Sequence, residues 1–567
     1  IALAPSNPGS WRGLAEVLQA AGQDDSAVDA WRQWVALSAH SVAARETFGW
    51  VLAKAHRWAE AEAELAIAVA SPEADTTTAT RLAFVRRERG DADGALAGLA
   101  LALSKSPDSL TARIGHALFL PQVYEDGADV VRWRNRYALG LGELEADLAR
   151  LRAAPGQLWE LDWSNFYLAY QGLDDLALQR RYSHLLAELA RAAAPEWAAA
   201  PAPALQGGRR LRVGFASSFF RMCTVGSYFS SWLTDLDRER FDVHAFYFGA
   251  EIDSTTRALS SALETFVHTG PRVREIATAI RAARLDVLVY PQLGMDGRDM
   301  TLAALRLAPV QCVAWGHPDT TGSAAIDCYF SCSEMEPENA ATQYSESLLL
   351  LPGLGTRYAR PAVRTASRAE FALPARARLY VCPQSLFKIH PDNDVMFAEL
   401  LARDREAVLC VCADPEQPVT LHFAARLRRA FRNSGIDFER RVSVQPLREP
   451  AAFRAMLSVC DVMLDTLHWS GGNTSLDALA AGLPIVTCEG SLMRGRQSAA
   501  MLRQIGLHEL VAGDTADAVG KAMDLASDVH RRHAIRRQIV DRCGDLFDRT
   551  EPIRALAEHL LRVCDRG

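Results

Sequence analysis

A period of 34 residues runs through the first 120 positions and dictates what they can build. Gly22, His56 and Gly90 share one repeat position, Ala27, Ala61 and Ala95 a second, Trp31, Leu65 and Leu99 a third, and Leu14, Phe48 and Leu82 a fourth. Small residues recurring beside large ones at fixed spacing imply close helix–helix packing, and 34 residues accommodate two helices with their turns. Such a unit buries its apolar face only against its neighbour, so the array stacks into a superhelix with a concave groove. A degenerate fourth unit is expected from about Ser106 and Pro107.

The pattern changes twice downstream. Trp159, Trp163, Phe166, Tyr167, Tyr170 and then Leu185-Leu186-Ala187-Glu188-Leu189 predict a second helical stretch rich in aromatics. The Ala/Pro-rich run from Ala192 to Pro203 and the Gly207-Gly208 pair mark a linker. Beyond it, buried-type strands alternate with helical patterns: Leu211 to Ala216, Phe241 to Phe248, Asp286 to Tyr290 and Val310 to Trp315. After about residue 365 the series restarts with Leu379 to Cys382, Val408 to Cys412, Val442 to Val444, Val462 to Leu464 and Ile485 to Thr487. Two such series predict two doubly wound parallel-sheet domains with a ligand cleft beyond their strand ends. The expected division is 1–140 for the repeats, 141–208 for a helical bridge and linker, 209–365 for the first α/β half and 366–567 for the second.

Composition narrows the partners. A net charge of −7 and a pI near 6.1 argue against a general nucleic-acid or anionic-membrane binder. No apolar run is long enough to cross a bilayer, and Ile1-Ala2-Leu3-Ala4-Pro5 reads as a truncated start rather than a signal peptide. All eleven cysteines lie at or after Cys223 without a C-x-x-C pair, and Asp327 to Cys332 reads as a buried strand. Reduced thiols in a cytoplasmic protein are expected.

The most informative functional segment is Asp465 to Pro484, which reads as strand end, Gly-Gly turn, helix, Gly stop and Pro before the next strand. Gly471 and Gly472 let the backbone approach a bound group, and Asn473, Thr474 and Ser475 place free N–H groups and small polar side chains at a helix start, which attracts phosphate. Asp477, one turn on, suits sugar hydroxyls. An ordinary βαβ turn is the alternative reading of this segment alone.

Three further segments follow predicted strands on the cleft side. They are Ser217-Ser218-Phe219-Phe220-Arg221-Met222-Cys223, Trp315-Gly316-His317-Pro318 and Gln384-Ser385-Leu386-Phe387-Lys388. Gly316 and Pro318 confine His317 to a turn, where an imidazole could accept a proton, and Lys388 could neutralise charge on a leaving group. Asp392-Asn393-Asp394 has a D-x-D form, but its place at a helix start is explained by the helix dipole, so no metal is assigned.

Read in order, these segments resemble glycosyltransferase family 41, which includes the protein O-GlcNAc transferases, the SPINDLY group and the bacterial cytoplasmic N-glucosyltransferases. The resemblance rests on Val213 to Ser218, Leu307 to Gln311 running through Gly316-His317-Pro318, Ser385 to Lys388, Asp465 to Pro484, and Arg494-Gly495-Arg496. The 34-residue units resemble the tetratricopeptide repeats that the O-GlcNAc transferases carry. The resemblance implies a repeat array followed by a GT-B pair of Rossmann-like domains. It also implies an inverting, metal-independent transfer from a UDP-sugar to Ser or Thr of a protein acceptor, with no cofactor. Catalytic roles fall to His317, Lys388 and Cys223, and donor contacts to Gln384, Ser385, Leu386, Lys388, Gly471, Gly472, Asn473, Thr474, Ser475 and Asp477. Transfer to Asn and a non-catalytic adaptor are the rival readings, and a homo-oligomer is allowed for. Two departures stand out: Cys223 occupies a place where many members have histidine, with Phe219 where an acidic residue or histidine is common, and residues 1–150 contain only Asn7 and Asn135 in place of an asparagine ladder.

Overall fold

The computed structural model describes residues 5–21, 23–202 and 209–564. Gly22 of the repeat register, Ile1 to Ala4, and Pro203 with the Gly207-Gly208 pair lie outside them.

Three antiparallel helix pairs form the array: Pro8–Ala20 with Asp24–Leu37, Val42–Lys54 with Trp58–Val69, and Thr76–Glu88 with Ala92–Lys105. Ala27, Ala61 and Ala95 sit fully inside the helix contacts, with Trp31, Leu65 and Leu99 packed beside them. The first register is the turn between paired helices. His56 has φ 57° and Gly90 φ 75°, and the following N–H groups close the helix ends, Arg57 N to Leu52 O and Asp91 N to Arg86 O, both at 2.9 Å. This left-handed ending explains why glycine recurs there. The degenerate fourth unit pairs Leu110–Leu118 with Gly127–Ala146, and the buried Trp133 falls 34 positions after Leu99.

The aromatic stretch differs from the expected helix. Pro155–Glu160 and Phe166–Gln171 are six-residue 3-10 helices joined by irregular chain, and α-helix begins only at Leu176–Ala193. The aromatic rings are spent on contacts with the cleft instead of on one helical face, so no 3.6-residue stripe forms.

Seven parallel strands build the first sheet in the order β3-β2-β1-β4-β5-β6-β7: β1 Leu211–Ser217, β2 Phe241–Tyr247, β3 Thr265–His268, β4 Val287–Tyr290, β5 Val310–Ala314, β6 Cys328–Cys332 and β7 Ser347–Leu351. Six build the second in the order β10-β9-β8-β11-β12-β13: β8 Arg378–Cys382, β9 Ala407–Cys412, β10 Val442–Gln445, β11 Val462–Leu464, β12 Ile485–Cys488 and β13 Val511–Ala512. The central strands are buried on both faces, as their unbroken apolar runs predict. β3, β7 and β13 are absent from the sequence reading: β3 and β13 are too short to stand out, and β7, though it carries the run Leu348-Leu349-Leu350-Leu351, is a partly exposed edge strand. The result is a helical array followed by two Rossmann-like domains, the GT-B arrangement.

Long-range contacts fix the pieces together. The last helix, Glu551–Cys564, returns to β7 and the Thr224–Thr234 helix of the first half. The array meets the second half where Trp58 Nε1 donates to Gln417 Oε1 at 2.6 Å and the buried Arg426 reaches Tyr124 O at 3.2 Å. None of the eleven cysteines is in a disulfide, and no described helix is long and apolar enough to cross a membrane.

Candidate functional site

A cavity of about 150 Å³ opens where strand ends of the two halves face each other. The first half supplies Thr224, Val225 and Tyr228 after β1, and Trp315, Gly316 and Pro318 after β5. From the second half come Gln384, Ser385 and Lys388 after β8, Trp469, Gly472, Asn473 and Thr474 after β11, and Gln497.

The loop after β11 is shaped by a buried carboxylate. Asp465 accepts hydrogen bonds from Ser470 Oγ, Gly471 N and Thr487 Oγ1, each at 2.8 Å. Gly471 therefore spends its N–H on the loop itself, and a side chain there would collide with Ser475 Oγ. Ser475 is fully buried and bonds Ser498 Oγ at 2.7 Å, while Leu386 packs into the core. These three expected donor contacts act as scaffold. Gly472, Asn473 and Thr474 do face the cavity, at the start of the Asn473–Ala480 helix, and Gly472 offers no side-chain cap to its N–H groups. A Cβ on Gly472 would meet Gln497 Oε1 at 2.8 Å and Tyr228 OH at 3.3 Å. That Tyr228 hydroxyl is buried without a hydrogen-bond partner. Asn473 Oδ1 accepts from the Tyr358 hydroxyl. Asp477 lies behind the cavity wall, buried beside Arg454 at 3.4 Å, and burial raises its carboxyl to about 6 despite that guanidinium.

His317 is 3% exposed. It stacks on Phe166 at 5.3 Å and lies 5.8 Å from the Trp469 ring and 6.1 Å from Tyr170. Gly294, at φ 95°, makes room for it, since a Cβ there would sit 2.9 Å from His317 Cδ2. Burial, reinforced by Arg494 and Lys388, pushes its imidazole down to about 3. It is neutral throughout the physiological range and too weakly basic for efficient proton abstraction there.

Lys388 reaches the cleft from a single 3-10 turn, Leu386–Lys388, and is half-buried. Its Nζ lies 5.2 Å from the Trp469 ring, 5.8 Å from Phe387 and 6.0 Å from Tyr170. Among the described residues no carboxylate pairs with it. Burial lowers its ammonium to about 8. Cys223 precedes the Thr224–Thr234 helix, donates to Phe219 O at 3.4 Å and lies outside the cavity lining. Burial raises its thiol above the ordinary value, so it is protonated at neutral pH.

One ion network at the site was not legible as such in the sequence. Arg494, 3% exposed, pairs with Asp175 at 2.7 Å and Asp319 at 3.1 Å and donates to Leu173 O at 2.6 Å. Asp175 belongs to the bridge and also holds Arg134 at 2.7 Å; Asp319 is two residues past His317, and Arg494 O accepts from Ser470 N. A single guanidinium thus joins the bridge, the His317 turn and the loop after β11. The aromatic bridge residues Phe166 and Tyr170 are visible in the sequence only as composition, Trp315 only as part of the His317 segment, and Tyr228 and Gln497 carry no local signal.

The chain is similar to several known proteins. The protein named "Probable UDP-N-acetylglucosamine--peptide N-acetylglucosaminyltransferase SPINDLY" of Hordeum vulgare is 28% identical over 47% of this chain and 28% of its own length. Its Arabidopsis thaliana counterpart is 26% identical over 59% of this chain and 37% of its own. The UDP-glucose:protein N-beta-glucosyltransferase of Actinobacillus pleuropneumoniae is 24% identical over 46% and 41%. The matches therefore span less than half the length of each of these relatives. Among solved structures, a mutant of Thermobaculum terrenum O-GlcNAc transferase shares the fold with a TM-score of 0.71 at 23% identity, over 99% of this chain and 97% of that one. The family model for glycosyl transferase family 41 matches residues 195–354 and 354–551, well over half of the 567 residues, and the chain belongs to that family.

Proposed function

We propose that this chain is a metal-independent, inverting protein glycosyltransferase that moves a hexose or N-acetylhexosamine from a UDP-sugar to Ser or Thr of a protein acceptor. One observation carries the reading. A single cavity collects the N-terminus of the Asn473–Ala480 helix, that of the Thr224–Thr234 helix and a lysine without a carboxylate partner. Helix N-termini carry partial positive charge and open N–H groups, so this grouping suits a diphosphate. The names of the family relatives supply the donor class.

In this reading Asn473, Thr474 and the open N–H groups after Gly472 hold phosphate oxygens, and Lys388 neutralises the charge that develops on the departing nucleotide. The orphaned Tyr228 hydroxyl and Gln497, both at Gly472, contact the donor. Asp477 holds the ribose once the cleft closes on it. Neutral His317 shapes the sugar pocket with Phe166 and Trp469. Neither His317 nor the Cys223 thiol is basic enough to take the acceptor proton at pH 7, so the proton passes to a donor phosphate oxygen or to solvent as the glycosyl–oxygen bond forms. The unpaired-by-disulfide cysteines fit the reducing cytoplasm. The likeness to the Actinobacillus N-glucosyltransferase supports a second reading, transfer to Asn.

Mass spectrometry of acceptor proteins incubated with the chain and UDP-glucose or UDP-N-acetylglucosamine tests this. Addition of one sugar mass to Ser or Thr, with UDP release, is expected. Sugar only on Asn replaces the first reading with the second, and neither transfer nor UDP release from any nucleotide sugar contradicts both.

A further inference from the structure

Beside the cavity, two segments bring two histidines and an aspartate together. His390 and Asp392 follow Lys388, and His468 precedes Trp469. His468 Nε2 lies 2.7 Å and His390 Nδ1 3.3 Å from the same Asp392 Oδ2, the imidazole rings meet edge-on at 4.6 Å, and the candidate donor atoms of all three residues lie within 4.8 Å of one another. Bonds of about 2.1 Å at tetrahedral angles set donor atoms roughly 3.4 Å apart, which these spacings bracket. His390 is buried, while Asp392 and His468 leave an approach from solvent.

Two features bear on what the cluster can hold. His390 Nδ1 accepts from the Asp392 backbone N–H at 3.2 Å, and the same nitrogen cannot also donate to Asp392 Oδ2. That contact is long, so an ion held by Nδ1 and Asp392 Oδ2 would take its place. His468 also adopts φ 68°, a left-handed backbone that is strained for a residue with a Cβ. That backbone aims its ring at Asp392. Gly172 of the bridge leaves room for it, since a Cβ there would lie 2.7 Å from His468 Cγ.

We propose that His390, Asp392 and His468 form a binding site for a divalent transition-metal ion, Zn²⁺ or Co²⁺ by the affinity of two imidazoles and a carboxylate, and not for Mg²⁺, which prefers oxygen ligands. The ion ties the segment carrying Lys388 to the loop carrying Trp469. Sugar transfer does not pass through it, and the site stands independently of the transferase reading.

Equilibrium dialysis of tag-free, chelator-stripped full-length chain against micromolar Zn²⁺, Co²⁺ or Mg²⁺ tests the site, with His468→Gly and Asp392→Asn alongside. His468→Gly removes the ligand and relieves the backbone, so its melting temperature should not fall; cysteine binding is common to every sample. The expected result is one more equivalent of Zn²⁺ or Co²⁺ on the wild type than on His468→Gly, affinity at least about tenfold weaker in both variants, and no matching Mg²⁺ uptake. Equal Zn²⁺ and Co²⁺ binding by wild type and well-folded His468→Gly would overturn the proposal, as would Mg²⁺ uptake equal to that of Zn²⁺.

Discussion

The His317 turn of the first half and the Lys388 segment of the second face the same cleft, yet the same effect of burial leaves them in opposite charge states at pH 7. Both side chains are surrounded by the rings of Tyr170 and Trp469, and burial lowers both basic groups. His317 begins near neutrality, so its fall to about 3 removes it from acid–base chemistry at pH 7. Lys388 begins far above neutrality and at about 8 remains mostly a cation. Burial against shared rings thus leaves one residue neutral and the other as the charge the cleft needs.

Removing what holds the two regions together should have the largest effect. Arg494→Ala leaves Asp175 and Asp319 buried without their shared guanidinium, and breaking such a pair typically costs about 3–5 kcal/mol. Chemical denaturation should show that loss, with Arg494→Lys intermediate. Stability within about 1 kcal/mol of wild type would show that the network does not join the halves.

Lys388→Ala comes next. It should lower turnover on the order of a hundredfold with little change in melting temperature, because it removes a charge from the cavity rather than a piece of core. A variant with near wild-type turnover would leave the two regions functionally alike.

The pH dependence separates them further. Lys388 acts when protonated, and its depressed value places the change near pH 8, so kcat/KM should fall about tenfold per pH unit above that point. Lys388→Arg should move this limb upward. His317→Gln should lower the rate without moving either limb, since the imidazole it replaces is already neutral. The same group affects stability with the other sign window: a depressed histidine value contributes stability present above pH 6.5 and lost as pH falls toward 3, so His317→Gln should flatten the acid melting profile. A rate limb near pH 6 to 7 that vanishes in His317→Gln would restore it as a base.

The smallest effect is expected at Cys223, whose thiol is protonated and outside the cavity lining. Cys223→Ala should change turnover by no more than a few-fold, about 1 kcal/mol at most.

The contrast also marks what the sequence made legible. The central strands, the Gly-Gly turn and Lys388 announce themselves locally, because apolar runs, glycine and strand-end position are properties of neighbouring residues. The left-handed turns behind Gly90 and His56 were visible as a period before their geometry was known. What surrounds His317 was not visible. Phe166 and Tyr170 lie far from Trp469 in the chain, and only folding gathers them around one imidazole. The same holds for Arg494, whose partners Asp175 and Asp319 come from different domains. Motif position alone also could not tell Gly471, Ser475 and Leu386, which build the wall, from Gly472, Asn473 and Thr474, which face the cavity.

The most direct test of the nucleotide cleft is calorimetric titration of UDP into the chain in the presence of EDTA, which also removes any ion from the histidine–aspartate cluster. The account predicts saturable binding at one site, weakened at least about tenfold by Lys388→Ala and much less by His317→Gln. Absence of binding at millimolar UDP, or equal weakening by the two substitutions, would contradict it.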